Sequence, residues 1–262
     1  MQQPLTSETQ FYTLPDPLPL WRGGELPSVT LAYETWGRLS TERDNVILVL
    51  HALTGDAHAA GRGASKDSRA GWWDPLIGPG RAFDTDRYFV ICSNVLGGCG
   101  GSTGPQSPNP ETGQPYATDF PVITIQDMVR AQRELLYGLG IERLAAVTGG
   151  SIGGMQAIEW CIRYPDDVDA ALIFGASERI GPQAIGFNSV GRSAIMLDPA
   201  WQGGRYEPDA GPSCGLQIAR MVGMVTYQSQ QSMWLRFGRE PVSRPTDPSP
   251  LGEKFDVEGY LE

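Results

Sequence analysis

A serine set among glycines is the feature of this sequence that could do chemistry. Residues 149–153 are Gly-Gly-Ser-Ile-Gly and match the pattern G-x-S-x-G, with Ser151 at its centre. In this pattern a strand turns abruptly into a helix and exposes the serine hydroxyl at the carboxyl end of a sheet. The flanking residues are glycines because a Cβ would collide with the crossing strand and helix. The pattern predicts that Ser151 is a nucleophile that attacks an acyl carbon.

Two phosphate-binding turns are the alternatives for such a glycine-rich segment. A dinucleotide fingerprint has G-x-G-x-x-G after the first strand of a domain and an acidic residue about 20 positions later, whereas this turn follows a later strand. A P-loop has Gly-Lys followed by Ser or Thr, and residues 153–156 are Gly-Gly-Met-Gln. Both alternatives fail on these details.

A serine that attacks an acyl carbon also needs N–H donors for the developing oxyanion. Ile152 follows the serine and offers the first donor. The second is expected in the loop after an earlier strand, and the apolar run at 45–50 leads into His-Ala-Leu-Thr-Gly-Asp, which makes Leu53 N–H the candidate. In the same loop we expect His51 to organise the chain rather than act as a base. His58 is expected to have no chemical role.

The elements around the turn predict an α/β fold with a mostly parallel sheet and helices on its faces. Thr124 and Asp127 resemble a capping box at the start of an amphipathic helix. Strands and helices alternate along the chain, as they do in parallel sheets. Residues from about 180 onward are expected to form a helical cap with one long helix at 215–237, so the predicted regions are a core at 1–179 and a cap at 180–262. The predicted strands are 28–37, 45–53, 87–95, 143–149 and 168–177, and the predicted helices of the core are 124–140 and 153–165.

Composition and charge exclude several classes of protein. The net charge of −10 argues against a nucleic-acid partner or an anionic membrane surface. No apolar run approaches the roughly 20 residues that span a bilayer, and the first residues do not resemble a signal peptide. We therefore expect a cytoplasmic protein without a membrane partner. The four cysteines form no CxxC pair and the two histidines lie far from them in the sequence, so no metal site and no disulfide framework is expected.

Several long motifs resemble the homoserine O-acetyltransferases of the α/β-hydrolase fold. They are HALTGDAH at 51–58, GWWDPLIGPG at 71–80, FDTDRYFVICSNVLGGCGGSTGP at 83–105 and GGSIGGMQAIEW at 149–160, followed by LDPAWQGG at 197–204 and ARMVGMVTYQS at 219–229. The resemblance implies a ping-pong reaction in which acetyl-CoA acylates the serine and L-homoserine accepts the acetyl group, an early step of methionine biosynthesis. Acetyl-CoA is then a co-substrate, and no bound cofactor is implied.

The resemblance also assigns residues. It implies Ser151 as nucleophile, Leu53 and Ile152 as oxyanion donors, and Arg220 and Tyr227 as contacts of the amino-acid substrate. A homodimer through the cap helices is expected. Three alternatives stay open: a serine hydrolase or esterase on the same scaffold, a transferase for succinyl or L-serine, and an inactive fragment that acts only through its surface.

The sequence departs from the family in its catalytic triad. The triad order in this fold is serine, acid, histidine, but no histidine follows Ser151. The segment FDVEGYLE at 255–262 resembles a point well before the end of the family's chains. We therefore expect a truncated chain without the last strands and helices and without the triad Asp and His, and little activity from it alone.

Overall fold

The computed structural model of the chain describes Leu5 and residues 7–62, 69–241 and 255–261. The chain divides into two compact units, Met1–Glu178 and Arg179–Glu262. Residues 63–68 of the predicted core lie outside the described residues, as do residues 242–254 and Glu262 of the predicted cap. That the second unit caps the sheet stays a prediction.

A six-stranded, mostly parallel sheet forms the centre of the first unit. The sheet order is β1-β4-β8-β5-β9-β10, in which β8, β5, β9 and β10 are parallel to one another, while β4 is antiparallel to both β1 and β8. The predicted parallel sheet is confirmed. The strands are β1 (Gln10–Thr13), β2 (Leu18–Pro19), β3 (Glu25–Leu26), β4 (Thr30–Trp36), β5 (Val46–Leu50), β6 (Ile77–Gly78), β7 (Phe83–Asp84), β8 (Phe89–Ser93), β9 (Ala146–Gly150) and β10 (Ala171–Phe174).

Two helices of the first unit begin and end close to where the sequence predicts. The helix α1 spans Ile125–Gly138, and both hydrogen bonds of the predicted capping box between Thr124 and Asp127 are present. The helix α2 spans Ile152–Arg163 and ends before Pro165, because proline has no N–H with which to continue the helix. Short 3₁₀ turns cover Ala117–Asp119 and Pro165–Asp167.

The two faces of the sheet are covered by different kinds of chain. In β5, Leu48 and Leu50 pack on one face with side chains of α1 and α2, such as Leu135 and Trp160. Ile47 and Val49 point to the opposite face, as alternation along a strand requires. Within the described part of the first unit that face is covered by the excursion between β5 and β8, through Ala59, Ala60, Ile77 and Phe83, instead of by a helix.

The β10 strand forms one edge of the sheet. All four of its residues are exposed, including Leu172, Ile173 and Phe174 at 40–49%. Parallel strands are normally buried on both faces, so an exposed apolar edge is unusual in this kind of sheet. The opposite edge, β1, carries polar residues and is antiparallel to its neighbour.

The second unit is helical, with α3 (Pro182–Leu197), α4 (Ser213–Thr226), α5 (Gln230–Phe237) and α6 (Asp256–Leu261). Its 3₁₀ turns are Pro199–Gly204 and Pro208–Ala210. The prediction of one helix over 215–237 is wrong, because the chain leaves α4 after Thr226 and Ser229 caps a new helix by accepting a hydrogen bond from Ser232 N–H (3.1 Å). Sequence reasoning also missed α3. Among the described residues no helix is long and apolar enough to cross a membrane.

Candidate active site

Ser151 is the single residue between the end of β9 and the start of α2. Its backbone has φ 56° and ψ −123°, a region that residues with a side chain rarely adopt and that costs on the order of 1–3 kcal/mol. Two hydrogen bonds hold the turn: Ser151 N–H donates to Phe174 O (3.0 Å), and Met155 N–H donates to Ser151 O (3.0 Å). The residue is exposed at the amino terminus of α2 and at the carboxyl edge of the sheet. The predicted strand-to-helix turn is confirmed.

Glycines at this turn allow two backbones to touch. A Cβ on Gly153 would lie 2.1 Å from Leu50 O and 2.9 Å from His51 O. A Cβ on Gly149 would lie 2.6 Å from the carbonyl of Gly153 and 2.7 Å from Leu50 O. At Gly150 the nearest atom would be at an ordinary 3.6 Å, so sterics do not explain that glycine. The close approach brings the first turn of α2 against the end of β5.

Two backbone N–H groups, one directly after Ser151 and one in the loop after β5, have no acceptor in the described part of the chain. One belongs to Ile152, the first residue of α2, where the N–H groups of a helix point outward and favour negative charge. The other belongs to Leu53, in a tight turn after β5 that Gly55 N–H closes by donating to Ala52 O (2.9 Å). These are the two donors that the sequence predicts for the oxyanion, and their role stays a prediction.

His51 is buried at the end of β5, with 1% of its surface exposed. Val95 N–H donates to its Nε2 (3.0 Å), and the Asn94 amide lies 3.2 Å from the same nitrogen. A backbone N–H can only donate, so the proton of the neutral ring is on Nδ1, which donates to Ala52 O (2.7 Å). Burial lowers the pKa of His51 and keeps the ring neutral. Both nitrogens are occupied, which fits the expected organising role.

His58 contacts a carboxylate on the neighbouring strand β4. Its Nδ1 lies 2.9 Å from Oε2 of Glu34, which is 4% exposed, and its Nε2 lies 3.2 Å from Arg69 O. Thr9 Oγ1 donates to the same carboxylate (2.9 Å), and so does Ser7 Oγ. Burial alone lowers the pKa of His58, but the hydrogen bond and the charge of Glu34 outweigh burial and raise it. The contact between His58 and Glu34 connects the loop after β5 to β4. Both ring nitrogens of His58 have a partner.

Sequence reasoning missed Asn94, which joins the loops after β5 and β8. Besides its contact with His51, its Oδ1 accepts hydrogen bonds from Gly100 N–H (3.2 Å) and Ser102 N–H (3.4 Å). Ser102 Oγ donates to Asn94 O (2.7 Å). The available signal was an asparagine that directly follows an apolar strand and stands three positions before a run of glycines, where its side chain can replace backbone partners.

Arg220 and Tyr227 lie in the second unit. Arg220 is on α4 and Tyr227 is its C-terminal cap, seven positions and about two helical turns later, so both are on one side of the helix. Tyr227 is 84% exposed. Arg220 lines a hollow of about 380 Å³ together with residues of α4 and α6 that include Gln217, Met224 and Tyr260. Contact of Arg220 and Tyr227 with a substrate stays a prediction.

Within residues 7–62, 69–241 and 255–261, no group of three or more His, Cys, Asp or Glu side chains is arranged to hold a metal ion. The four cysteines are free thiols. Burial raises the pKa of Cys92 well above its usual value, so this thiol stays protonated.

Comparison with known proteins identifies the fold and the family. A model of the alpha/beta hydrolase fold matches residues 45–254. A curated homoserine O-acetyltransferase from Symbiobacterium thermophilum is 54% identical over 250 residues, which cover 94% of this chain and 64% of that protein. The chain spans about half to two thirds of the length of the curated relatives that it matches.

Two solved structures share the fold at higher than 30% identity. The homoserine O-acetyltransferase from Bacillus anthracis has a TM-score of 0.88 and 35% identity, covering 98% of this chain and 70% of that one. Esterase E22 has a TM-score of 0.85 and 32% identity, covering 97% and 71%. With the strained serine turn after β9 and these relatives, the chain belongs to the homoserine O-acetyltransferase family within the alpha/beta hydrolase fold.

Proposed function

We propose that this protein is an acyltransferase that moves an acetyl group from acetyl-CoA to the hydroxyl of L-homoserine through an acyl-Ser151 intermediate. The observation that carries the proposal is the strained turn of Ser151, in a chain that belongs to a family of acetyltransferases. A strained conformation persists only where the surrounding structure enforces it, and such positions concentrate at active sites.

In the first half-reaction Ser151 Oγ attacks the thioester carbonyl of acetyl-CoA. The hydroxyl proton passes to a base, the carbonyl oxygen becomes an oxyanion, and the C–S bond breaks to release CoA, which takes up a proton. We assign the oxyanion to Leu53 N–H and Ile152 N–H, since both donors lack an acceptor in the described residues. In the second half-reaction the homoserine hydroxyl attacks the acyl-serine, and Ser151 leaves with its proton restored.

Neither histidine of these 262 residues is suited to be the base, because the ring nitrogens of His51 and His58 are all engaged elsewhere. Loss of a catalytic base costs on the order of 10⁶ in turnover. We therefore expect the 262-residue chain to transfer acetyl groups far more slowly than ordinary enzymes. Turnover of acetyl-CoA with homoserine at about 1 to 10³ s⁻¹ would contradict this expectation and return the two histidines to consideration.

For the acceptor we assign Arg220 and Tyr227. A guanidinium can hold an α-carboxylate by two parallel charge-assisted hydrogen bonds, which neither a lysine nor a neutral side chain reproduces. Tyr227 offers a hydroxyl on the same side of α4. The assignment follows the family motif at 219–229 and the exposure of both side chains.

An esterase is the second candidate, favoured by the similarity to esterase E22. Transferase and esterase share the acyl-serine and differ in what removes the acyl group. In a transferase the amino acid must outcompete water, which requires a site that excludes water.

The test follows the acyl group in the purified chain. After prolonged incubation with acetyl-CoA, intact-mass analysis should show one acetyl group, located on Ser151 by peptide mapping, and addition of L-homoserine should release O-acetylhomoserine. Ser151→Ala should show no adduct, while Ser189→Ala, an exposed serine of α3, should behave like the unchanged chain. Parallel arms with succinyl-CoA and L-serine test the other donor and acceptor. Loss of acetyl at one rate with and without homoserine would establish the esterase instead.

We further propose a cytoplasmic homodimer that associates through the helices of the second unit. Support comes from the apolar side chains that these helices expose, among them Val190, Leu197 and Leu235 at 52%, 82% and 78%. Such surfaces mark sites of protein association. Light scattering at several concentrations should give twice the monomer mass, and a monomer throughout would refute the dimer.

A further inference from the structure

A hydrogen bond from the His51 ring holds the peptide group between Ala52 and Leu53. Its Nδ1–H donates to Ala52 O, and Ala52 O belongs to the same peptide as Leu53 N–H. A trans peptide is planar, with its C=O and N–H pointing in opposite directions. A hydrogen bond that fixes the carbonyl therefore fixes the direction of the N–H. Gly55 N–H donates to the same carbonyl (2.9 Å) and holds the plane from a second side.

The partner on the other side of the ring decides which nitrogen carries the proton. Val95 N–H lies 3.0 Å from Nε2, and the Asn94 amide nitrogen lies 3.2 Å from the same atom. Because the backbone N–H of Val95 can only donate, Nε2 must accept. This leaves the proton on Nδ1, facing Ala52 O. The residues after β8 thus determine which nitrogen of His51 is protonated. The protonated Nδ1 in turn determines the orientation of the Ala52–Leu53 peptide.

The start of α2 lies against the preceding peptide, His51–Ala52, so the Ala52–Leu53 peptide is one residue away from that contact. A Cβ on Gly153 would come within 2.9 Å of His51 O, so the turn after β5 and the first turn of α2 are in backbone contact. The His51 ring holds the carbonyl of the Ala52–Leu53 peptide, and the N–H of that peptide faces away from the ring without an acceptor in the described residues.

We propose that His51 is a positioning residue for acyl transfer: its Nδ1–H orients the Ala52–Leu53 peptide so that Leu53 N–H serves as an oxyanion donor. This inference rests on the proposed function, since it presupposes that Ser151 is acylated. His51 acts through the peptide and touches no reacting atom. Asn94 and Val95, which follow β8, contribute to the same positioning because they hold the orientation and the tautomer of the His51 ring.

Because the ring nitrogens of His51 and His58 are all engaged elsewhere, acylation of Ser151 in the 262-residue chain is expected to be slow, and this slow rate is suited to the test. When a triad is incomplete, the rate that remains comes from the oxyanion donors and from binding. Removal of one oxyanion donor costs about 10² to 10³ in rate. A change in the direction of Leu53 N–H should therefore appear directly in the residual rate of Ser151 acylation.

Two variants separate the two nitrogens of His51. In His51→Asn the amide occupies the place of Nδ1 and can still donate to Ala52 O, whereas in His51→Gln the amide occupies the place of Nε2 and cannot. With p-nitrophenyl acetate as acyl donor, His51→Gln should lower the maximal acylation rate about 10- to 100-fold with little change in the half-saturating concentration. His51→Asn should retain most of the rate. His58→Gln, in the same loop, is the matched control and should not differ from the unchanged chain.

The outcomes distinguish the inference from the proposed function. If Ser151→Ala is acylated as fast as the unchanged chain, the proposed function fails. If Ser151→Ala abolishes acylation but His51→Gln and His51→Asn lose rate equally, His51 is structural and only the inference fails. Where His51→Gln does not fold, ¹⁵N NMR of the unchanged chain decides: protonated Nδ1 and unprotonated Nε2 are expected, and protonation on Nε2 would overturn the inference.

Discussion

The two units of the chain differ in how they bury their side chains. In the first unit, side chains are completely buried on both faces of the sheet, such as Trp160 and Leu48 on one face and Ile77 on the other. In the described residues after Glu178, only Pro212 and Gly215 are buried. In the first unit the backbone and the core hold Ser151 and the oxyanion donors in place. In the second unit, Arg220 and Tyr227 lie on a helix that exposes much of its apolar surface.

Glycines show the same difference at the level of single residues. Gly149 and Gly153 are in the first unit where another backbone leaves no space for a Cβ. Gly186, inside α3, has nothing within 4 Å of the position that a Cβ would take. Glycine is thus a steric requirement at Gly149 and Gly153 and a conformational cost at Gly186. Gly215 of α4 is an exception in the second unit, since a Cβ there would lie 2.4 Å from Ala194 O.

The largest expected effect tests this contrast directly. Gly153→Ala places a methyl group 2.1 Å from Leu50 O, so the strand or the helix must move, and we expect a loss of about 3 kcal/mol or more in the free energy of unfolding. Gly186→Ala meets no neighbour and should raise that free energy by about 0.5–1 kcal/mol, because alanine favours the helix. Urea denaturation of both variants measures the two changes, and equal changes would abolish the contrast.

A second prediction concerns function in the exposed unit. Arg220→Ala should weaken binding of L-homoserine about 10- to 100-fold, since hydrogen bonds to a charged group contribute about 1.5–3 kcal/mol. The stability of the chain should not change, because Arg220 is exposed. The matched control is Arg192→Ala, an exposed arginine of α3. Calorimetric titration with homoserine measures the affinity. Equal affinity in both variants would remove Arg220 from the acceptor site.

The sequence predicts five of the six strands of the central sheet and both long helices of the first unit, because their signals are local, but it misses the edge strand β1 and the short strands β2, β3, β6 and β7. The capping box of α1, the apolar run of β5 and the glycines around Ser151 each depend on neighbours within a few positions. Contacts between distant residues leave no such trace. The pair of Glu34 and His58 and the link from Asn94 to His51 join residues 24 and 43 positions apart, and only the sheet order brings them together.

Predictions for the second unit fail where local signals conflict. Gly186 and Gly191 interrupt the segment that forms α3, so its helical character is masked. Between α4 and α5 the apolar periodicity continues through Tyr227 and Gln228, although the chain leaves the helix there. The helix ends before Ser229, because the side chain of Ser229 caps the next helix, α5. A helix that buries few side chains is placed by such caps more than by its pattern.

Between about pH 5.5 and 8.5 the pH dependence of stability should come mainly from the first unit, because both histidines lie there. For His58 burial lowers the pKa, but the hydrogen bond and charge of Glu34, with smaller contributions from Arg69 O and Asp56, raise it above its ordinary value. Stability from the charged ring is therefore complete below about pH 6.5, its unfolded pKa, and is lost as pH rises through the folded pKa.

The measurement compares the unchanged chain with His58→Gln at several pH values. The difference in unfolding free energy should be largest at about pH 5.5 and should shrink towards about pH 8.5, with a size below about 1 kcal/mol because the ring is partly exposed. A difference that grows with pH would mean that the ring is bound neutral. Substitutions at charged residues of α3 and α4 should show no such dependence in this range.

The smallest expected effect is at the surface of the second unit. Leu197, at the end of α3, is 82% exposed, so Leu197→Gln should change the free energy of unfolding of the monomer by no more than about 0.5 kcal/mol. Leu135→Ala, at a completely buried position of α1, should cost about 2–5 kcal/mol in the same assay and serves as the contrasting variant. If the helices associate in the proposed homodimer, Leu197→Gln should also shift light-scattering masses towards the monomer at low concentration, because a polar amide replaces apolar contact area. A loss of about 2 kcal/mol or more in the monomer would show that Leu197 contributes to a core, and the contrast between a buried first unit and an exposed second unit would then be wrong.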